Sequence, residues 1–295
     1  MYDIKNLYEP TSVLEALKLK KEHPQALILA GGSDILIKIR EGKLAGCDLI
    51  SIFPLDELRG ICIEDDGSIL IRPLSSFTDV VMHPIIKKNI PVLGEAVEQI
   101  GGPQIRNIGT IGGNICNGVT SADSAGTLKA YDAILEIASL EGTRVLPFSE
   151  FNIKPGKVDL QPGEILTGIR IPKESYENTY GHFIKYAMRR AMDIATLSCS
   201  VNVRLSKDKK KIERLRIAFG VAAPIPIRSI TAEESANGHI INEELINTIA
   251  KGALTDVMPR TSWRASKEFR LHLVEELARR ATTESIEKAG GKIHG

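Results

Sequence analysis

The 295-residue chain is poor in the groups that hold metals. Its four cysteines, Cys47, Cys62, Cys116 and Cys199, are scattered, none forms a CxxC pair, and no two of the six histidines stand at HExxH spacing. Zinc and iron–sulfur clusters need concentrated thiolates or imidazoles, so neither is expected here, and neither are disulfides. An excess of one charge is also lacking. With 38 basic and 37 acidic side chains the net charge is +1, which supplies no electrostatic reason for a nucleic-acid or membrane-surface partner. No apolar run approaches the roughly 18 residues of a membrane span. The opening "MYDIKNLYEPTS" is polar from its third residue and has no apolar signal core, so the expected compartment is the cytoplasm. Two nucleotide signatures are missing as well: GxxxxGK[ST], and GxGxxG followed by an acidic residue about 20 positions on. The dispersed histidines form no triad, dyad or metal set.

What is present is an ordinary globular composition, 43% hydrophobic and 25% charged, with material for one large or two medium cores. "SVLEALKLKKEH" predicts a helix with Val13, Leu14 and Leu17 on one face and Ser12 as cap. "ALILA" reads as a strand, broken by "GGSD" and resumed as a strand in "ILIKI". "CDLISIF", "GSILIRPLSS", the pair in "AILEIASLEGTRVLPF", and "GEILTGIRIP" read as further strands. "NIPVLGEAVEQIGGPQIRN" reads as a helix ended by Gly101-Gly102-Pro103, and a second helix is expected from Ser124 to Asp132. The texture changes near residue 175. Beyond it, "GHFIKYAMRRAMDIATLSCSVNVRL" forms two strand segments around a polar hinge, and "IERLRIAFGVA" forms another strand. Helical segments follow, the last from about Arg264 to Ala289. Two α+β domains are expected, 1–175 (parts about 1–55 and 56–175) and 176–295.

Two glycine segments carry the chemistry, "LAGGSD" (Leu29 to Asp34) and "TIGGN" (Thr110 to Asn114). A diphosphate takes many short hydrogen bonds. Backbone N–H groups supply them without bulk, glycine lets the main chain approach, and Ser33, Thr110 or Asn114 can add a side-chain donor. Each segment alone is equally well a tight turn. Together, each read as following an apolar strand, they fit a dinucleotide cradle outside the Rossmann type. Asp123 stands where a helix N-cap belongs, and its carboxylate also suits ribityl or ribose hydroxyls. "KYAMRRAMD" is a solvated or ion-paired hinge, or places Lys185 where it steadies the charge of a reduced flavin. "PRTSWRASKEFRLHLVEELARR", with the sole tryptophan Trp263 and with Phe269, Leu273 and Leu277 at four-residue spacing, reads first as a packed terminal helix and second as a partner-binding face.

"LAGGSDILI" together with "QIRNIGTIGGNICNGVTSADS", and then "EILTGIRIP", "FIKYAMRRAMDIA" and "SWRASKEFR", resembles the FAD-binding medium subunits of molybdenum hydroxylases over the whole chain. The nearest resemblance is to the bacterial xanthine dehydrogenase type. It implies an FAD-binding domain of the vanillyl-alcohol oxidase type, in two subdomains, followed by a smaller α+β domain. It implies Leu29, Ala30, Gly31, Gly32, Ser33 and Asp34, with Gly109, Thr110, Gly112, Gly113, Asn114 and Asn117, around the FAD pyrophosphate. It further implies Ser121 and Asp123 toward the ribityl and ribose part, Ile100 and Leu166 against the isoalloxazine, and Lys185 at its polar edge. It also implies that Asp193 belongs to a mobile loop beside the ring. Two departures are visible: "NGVTSAD" lacks the proline of many relatives, and Ile100 stands where animal relatives carry an aromatic. The resemblance implies partners too, a large molybdopterin subunit that hydroxylates substrate and a small subunit with two [2Fe–2S] clusters. NAD⁺ is the expected acceptor and a dimer of heterotrimers the expected assembly. No catalytic side chain is expected on this chain. The open alternatives are another N-heterocycle, an aldehyde or carbon monoxide as the complex's substrate, or a flavin-free scaffold.

Overall fold

The computed structural model describes residues 2–293. Three larger sheets organise the described residues, beside a two-stranded pair, Asn152–Lys154 with Lys157–Val158. The first is parallel, with Cys47–Ser51 between Ile4–Tyr8 and Leu27–Leu29. Parallel neighbours require crossovers, and helices supply them. Val13–Glu22 is capped by the Ser12 hydroxyl, which accepts from the Glu15 N–H, and buries Ala16 and Leu17. Leu14, expected on the buried face, is exposed, because the stripe runs through Ala16 instead. The strand Ile4–Tyr8 lies in a segment that reads as merely polar, and its burial is correspondingly slight.

The second crossover corrects an expectation. "ILIKI" is not a resumed strand; Ile35–Arg40 is a helix. A short apolar run has no period that separates strand from helix. Gly32, at φ +73°, turns the chain out of the sheet, and Lys38 pairs with Asp34 one turn back at 2.5 Å. Only Ile39 of the run is buried.

The second sheet is antiparallel, in the order Ile61–Ile63, Ile69–Ile71, Ile165–Ile171, Ile134–Ser139, Gly142–Pro147. Between Ile71 and Ile134 the chain runs through short helices, including Phe77–Met82, Pro91–Glu98, Pro103–Ile108, Ile111–Cys116 and Asp123–Ala130. Prolines open three of the short helices, a position where the missing N–H costs nothing. The helices pack on the sheet around Phe148, Phe151 and Tyr131. "TIGGN" therefore does not follow a strand. It follows the helix Pro103–Ile108 and is itself the start of another, Ile111–Cys116, with the Thr110 hydroxyl accepting from Gly113 N–H.

The third sheet is antiparallel in chain order, Tyr180–Tyr186, Leu197–Leu205, Ile212–Gly220, Ile227–Arg228. Three helices cover it, Ile230–Ala236, Glu243–Gly252 and the 22-residue Lys267–Lys288. Leu273, Leu277, Ala278 and Ala281 of the last meet Val201, Val203 and Phe219 in one core. Phe269 stays exposed. Asp123–Ala130, buried throughout, packs against the strands Leu197–Leu205 and Ile212–Gly220 and joins the second sheet's helices to the third sheet.

Candidate functional site: a two-ended cleft

The first glycine segment leaves the strand Leu27–Leu29 and has no room to spare. A Cβ on Gly31 would overlap the carbonyl oxygen of Ile108 and lie 3.2 Å from the Cα of Gly109. That close approach brings the two glycine segments side by side, and the ideal Cβ position of Gly113 is 4.0 Å from that of Ala30. Among the described residues the N–H groups of Gly31, Gly32 and Ser33 have no backbone acceptor. Unpaired donors presented by a glycine turn suit an oxyanion.

The second segment contributes differently. Its donors are used inside the fold: Ile111 N–H to Ser75 O at 3.0 Å, Gly112 N–H to Pro73 O at 2.9 Å, and Asn114 N–H to Thr110 O at 3.0 Å. Gly112 is a packing glycine, since a Cβ there would stand 2.8 Å from Pro73 O and 2.9 Å from its Cα. Gly109 packs likewise against Phe77. What this helix offers outward is the Asn114 amide. Its Oδ1 accepts from Ser124 Oγ at 2.6 Å, and its Nδ2 finds no acceptor among the described residues.

Asn114 lies on the wall of a cleft shared with Ile100, Gly101, Ser121, Asp123, Lys185, Met192, Asp193 and Ile194, a cavity of about 190 Å³. Six of the residues singled out in the sequence thus meet in one place: Ile100, Asn114, Ser121, Asp123, Lys185 and Asp193. At the centre is an ion pair, Lys185 Nζ to Asp123 Oδ2 at 2.6 Å, with both side chains only 6% exposed. Lys185 also donates to the Gln99 carbonyl at 3.0 Å. Asp123 is not the helix cap; Ala122 holds that position without a side-chain bond, and the carboxylate turns to Lys185 instead. Burial pushes the Asp123 carboxyl up to about 6 although Lys185 pulls it down, and its Oδ1 is buried without a partner. A buried acceptor with no partner is costly, and a ligand hydroxyl would satisfy it.

A second wall belongs to Gln99 and the loop from Tyr186 to Asp193. Asp193 folds this loop on itself, accepting from the N–H groups of Arg189 at 3.0 Å and Ile194 at 2.9 Å. Met192, at φ +54°, turns its sulfur toward Gly102. Other singled-out residues stand apart from the cleft. Leu29 ends its strand, and exposed Asp34 pairs with Lys38. Asn117 C-caps Ile111–Cys116 and accepts from Lys38 Nζ at 3.0 Å. Leu166 is buried in the second sheet's core opposite Ile137 and lines neither wall. Gln99, Gly101, Met192 and Ile194 were not singled out from the sequence. The glycine pair after Ile100 was the available signal, since Gly101 sits at φ +53°.

The arrangement is two-ended. Free backbone donors at Gly31–Ser33 adjoin Gly113 and Asn114, and these lead to the Ser121–Asp123–Lys185 cleft. A ligand with a diphosphate, a polyol and a flat polar-edged ring matches that sequence of groups, so the residues fit FAD. Among the described residues no group of His, Cys, Asp and Glu could hold a metal ion, and no helix is long and apolar enough to cross a membrane.

Residues 2–174 match the family model described as FAD binding domain in molybdopterin dehydrogenase, and residues 182–285 match the CO dehydrogenase flavoprotein C-terminal domain. The chain is 43% identical over 293 residues to the xanthine dehydrogenase FAD-binding subunit of Escherichia coli O157:H7, covering 99% of this chain and all of that one. It is 28% identical over 275 residues to the carbon monoxide dehydrogenase medium chain of Hydrogenophaga pseudoflava, covering 93% and 94%. A solved carbon monoxide dehydrogenase structure from that organism superposes with a TM-score of 0.92 at 27% identity over 98% of this chain and 99% of its own. The chain belongs to the FAD-binding subunits of the molybdenum hydroxylase family.

Proposed function

We propose that this chain carries electrons in a xanthine dehydrogenase-like complex, from [2Fe–2S] clusters on a small subunit, through FAD, to NAD⁺. The observation that carries this is the union of free N–H groups at Gly31–Ser33 with the Asp123–Lys185 cleft, because together they match both ends of FAD. Gly31, Gly32 and Ser33 would hold the pyrophosphate with Asn114 Nδ2 beside them. Ser121 and Asp123 Oδ1 would take polyol hydroxyls, Ile100 would cover the ring, and Lys185 Nζ would stand at its polar edge. FAD, when bound, accepts electrons singly and gives them up in pairs, which suits a junction between one-electron clusters and a hydride acceptor. The protein contributes position and charge. Lys185 Nζ, held by Asp123 and the Gln99 carbonyl, would set an ammonium beside the polar edge of the ring, where it would favour the negative charge of the reduced flavin.

Substrate hydroxylation belongs to a large molybdopterin subunit, in an assembly expected to be a cytoplasmic dimer of heterotrimers. The division near residue 175 then separates the FAD-binding part, with subparts about 1–55 and 56–175, from 176–295. The 43% identity to a xanthine dehydrogenase subunit favours xanthine over the aldehyde and carbon monoxide named for more distant relatives. The test is anaerobic addition of NADH to the FAD-loaded chain. Bleaching of the flavin's visible band is expected. A flavin that stays oxidised with NADH but is reduced by ferredoxin or a quinol would remove NAD⁺ from the account.

A further inference from the structure

Lys38 does more than close a helical turn with Asp34. From the helix Ile35–Arg40 its Nζ reaches across to the other glycine segment and donates to Asn117 Oδ1 at 3.0 Å. The two residues are 79 positions apart in the chain. The contact joins two others between the same segments: the Gly31 backbone lies against Ile108 and Gly109, and Ala30 lies near Gly113. Asn117 stands one helical turn beyond Gly113, to whose carbonyl its N–H donates at 3.1 Å. The unpaired N–H groups of Gly31, Gly32 and Ser33 lead directly into the helix that carries Lys38.

Both side chains retain a donor. An ammonium carries three N–H donors, and Lys38 has two acceptors, Asp34 Oδ2 at 2.5 Å and Asn117 Oδ1. With its oxygen turned to Lys38, the Asn117 amide presents Nδ2 on the opposite side, where it has no acceptor among the described residues. The Lys38 side chain is 41% exposed, so a ligand can reach the third donor. Backbone N–H groups in the glycine turn offer dipoles without net charge, whereas a diphosphate is doubly ionised. Arg106, the cation next to the second segment, is engaged by the carbonyls of Ile100 and Gly101. Asp34 would repel a diphosphate beside it if Lys38 did not offset its charge.

We propose that Lys38 holds the adenylate-side phosphate of FAD, with Asn117 Nδ2 set beside it, and that this contact selects FAD over FMN. The inference rests on the reading of the chain as an FAD carrier. Asn114 lines the ring cleft and Asn117 does not, which puts Lys38 on the side of the glycine turn away from the ring. FMN ends at the phosphate nearer the ring, which the Gly31–Ser33 donors can hold alone. FAD continues past that point, and its second phosphate meets a fixed ammonium.

Titrating the apo chain with each flavin, and following flavin fluorescence, tests this. Lys38→Met should weaken FAD binding about tenfold or more, as loss of one charge-assisted hydrogen bond does, and should change FMN binding by less than about twofold. The salt dependence of FAD binding should flatten in the same variant. Lys38→Arg, which keeps the charge, should retain most of the affinity and the salt dependence. Asn117→Ala should also weaken FAD more than FMN. Apo Lys38→Met should melt close to wild type, since a half-exposed ion pair adds little stability. Equal losses for FAD and FMN, or unchanged FAD affinity and salt dependence in Lys38→Met, would overturn the inference. So would a Lys38→Arg chain as weak as Lys38→Met with a lowered apo melting point, the mark of a merely structural contact. A wild-type chain that takes up no FAD would contradict the proposed function, an outcome distinct from any of these.

Discussion

Replacing Lys185 with methionine perturbs the centre of the site. The pair Lys185–Asp123 is 2.6 Å long and nearly dry, so removing the cation leaves a carboxylate stranded inside the protein. Breaking a buried ion pair from one side typically costs about 3–5 kcal/mol. The cost depends on pH, and its sign is fixed by the carboxyl. In the folded chain Asp123 is raised to about 6 by burial, against an ordinary 3.8. The folded state therefore holds more protons than the unfolded one between those values, and stability falls as pH rises through that window. Without Lys185 the carboxyl rises further, so the window extends upward. Lys185→Met should consequently be far more destabilised at pH 8 than at pH 5, where Asp123 can take a proton. Adding Asp123→Asn should restore most of the loss at pH 8, because the stranded charge disappears. Urea unfolding of the apo forms at both pH values measures this. Equal destabilisation at the two pH values, or a double variant no better than Lys185→Met, would refute the reasoning.

Other residues give further tests. Burial, with Arg228 adding to it, lowers Lys129 to about 8, and its ammonium donates to the carbonyls of Phe148 and Ser149. A lowered lysine makes the folded state proton-poor between about 8 and 10.5, so stability gains at most about 3 kcal/mol as pH rises through that window. The difference between wild type and Lys129→Met in urea midpoints should carry that slope, and a flat difference would contradict it. Gly112→Ala should destabilise by about 1–3 kcal/mol, because the Pro73 backbone cannot yield. Gly94→Ala, inside Pro91–Glu98 with only Ile86 Cγ2 at 3.8 Å, should stabilise by up to about 1 kcal/mol. Thermal melts that rank these two the other way would disprove the packing account. In native protein at pH 8, iodoacetamide should label exposed Cys62 well before Cys116, whose thiol burial holds at about 12, or buried Cys199. Peptide mapping reads the order.

The longer strands, Ile165–Ile171, Leu197–Leu205 and Ile212–Gly220, and the long terminal helix were legible because their patterns are long enough to declare a period. The failures are local and share a cause. "ILIKIR" is too short and too uniformly apolar to distinguish strand from helix, and the deciding feature is the turn at Gly32. "TIGGN" reads as a loop by composition, but Thr110 caps it and Pro73 and Ser75 take its N–H groups from a distant segment. No sequence window contains that information. Asp123 sits one position inside its helix, and its partner Lys185 is 62 residues away. The glycines of the two segments were correctly suspected of allowing close approach. What approaches Gly31 and Gly112, however, is the protein's own backbone at Ile108 and Pro73, while the open donors lie at Gly31–Ser33. Bulky replacements at Gly31 or Gly112 would therefore disturb folding as well as ligand binding.

The central claim is that two glycine segments and the Asp123–Lys185 cleft form one FAD site. Its most direct test is to denature the purified chain, after incubation with excess FAD and FMN together and removal of what is unbound, and to identify the flavin released. The account predicts FAD at close to one per chain, because the Gly31–Ser33 donors and the cleft are both engaged. Release of FMN, or of no flavin from a folded chain, would contradict it.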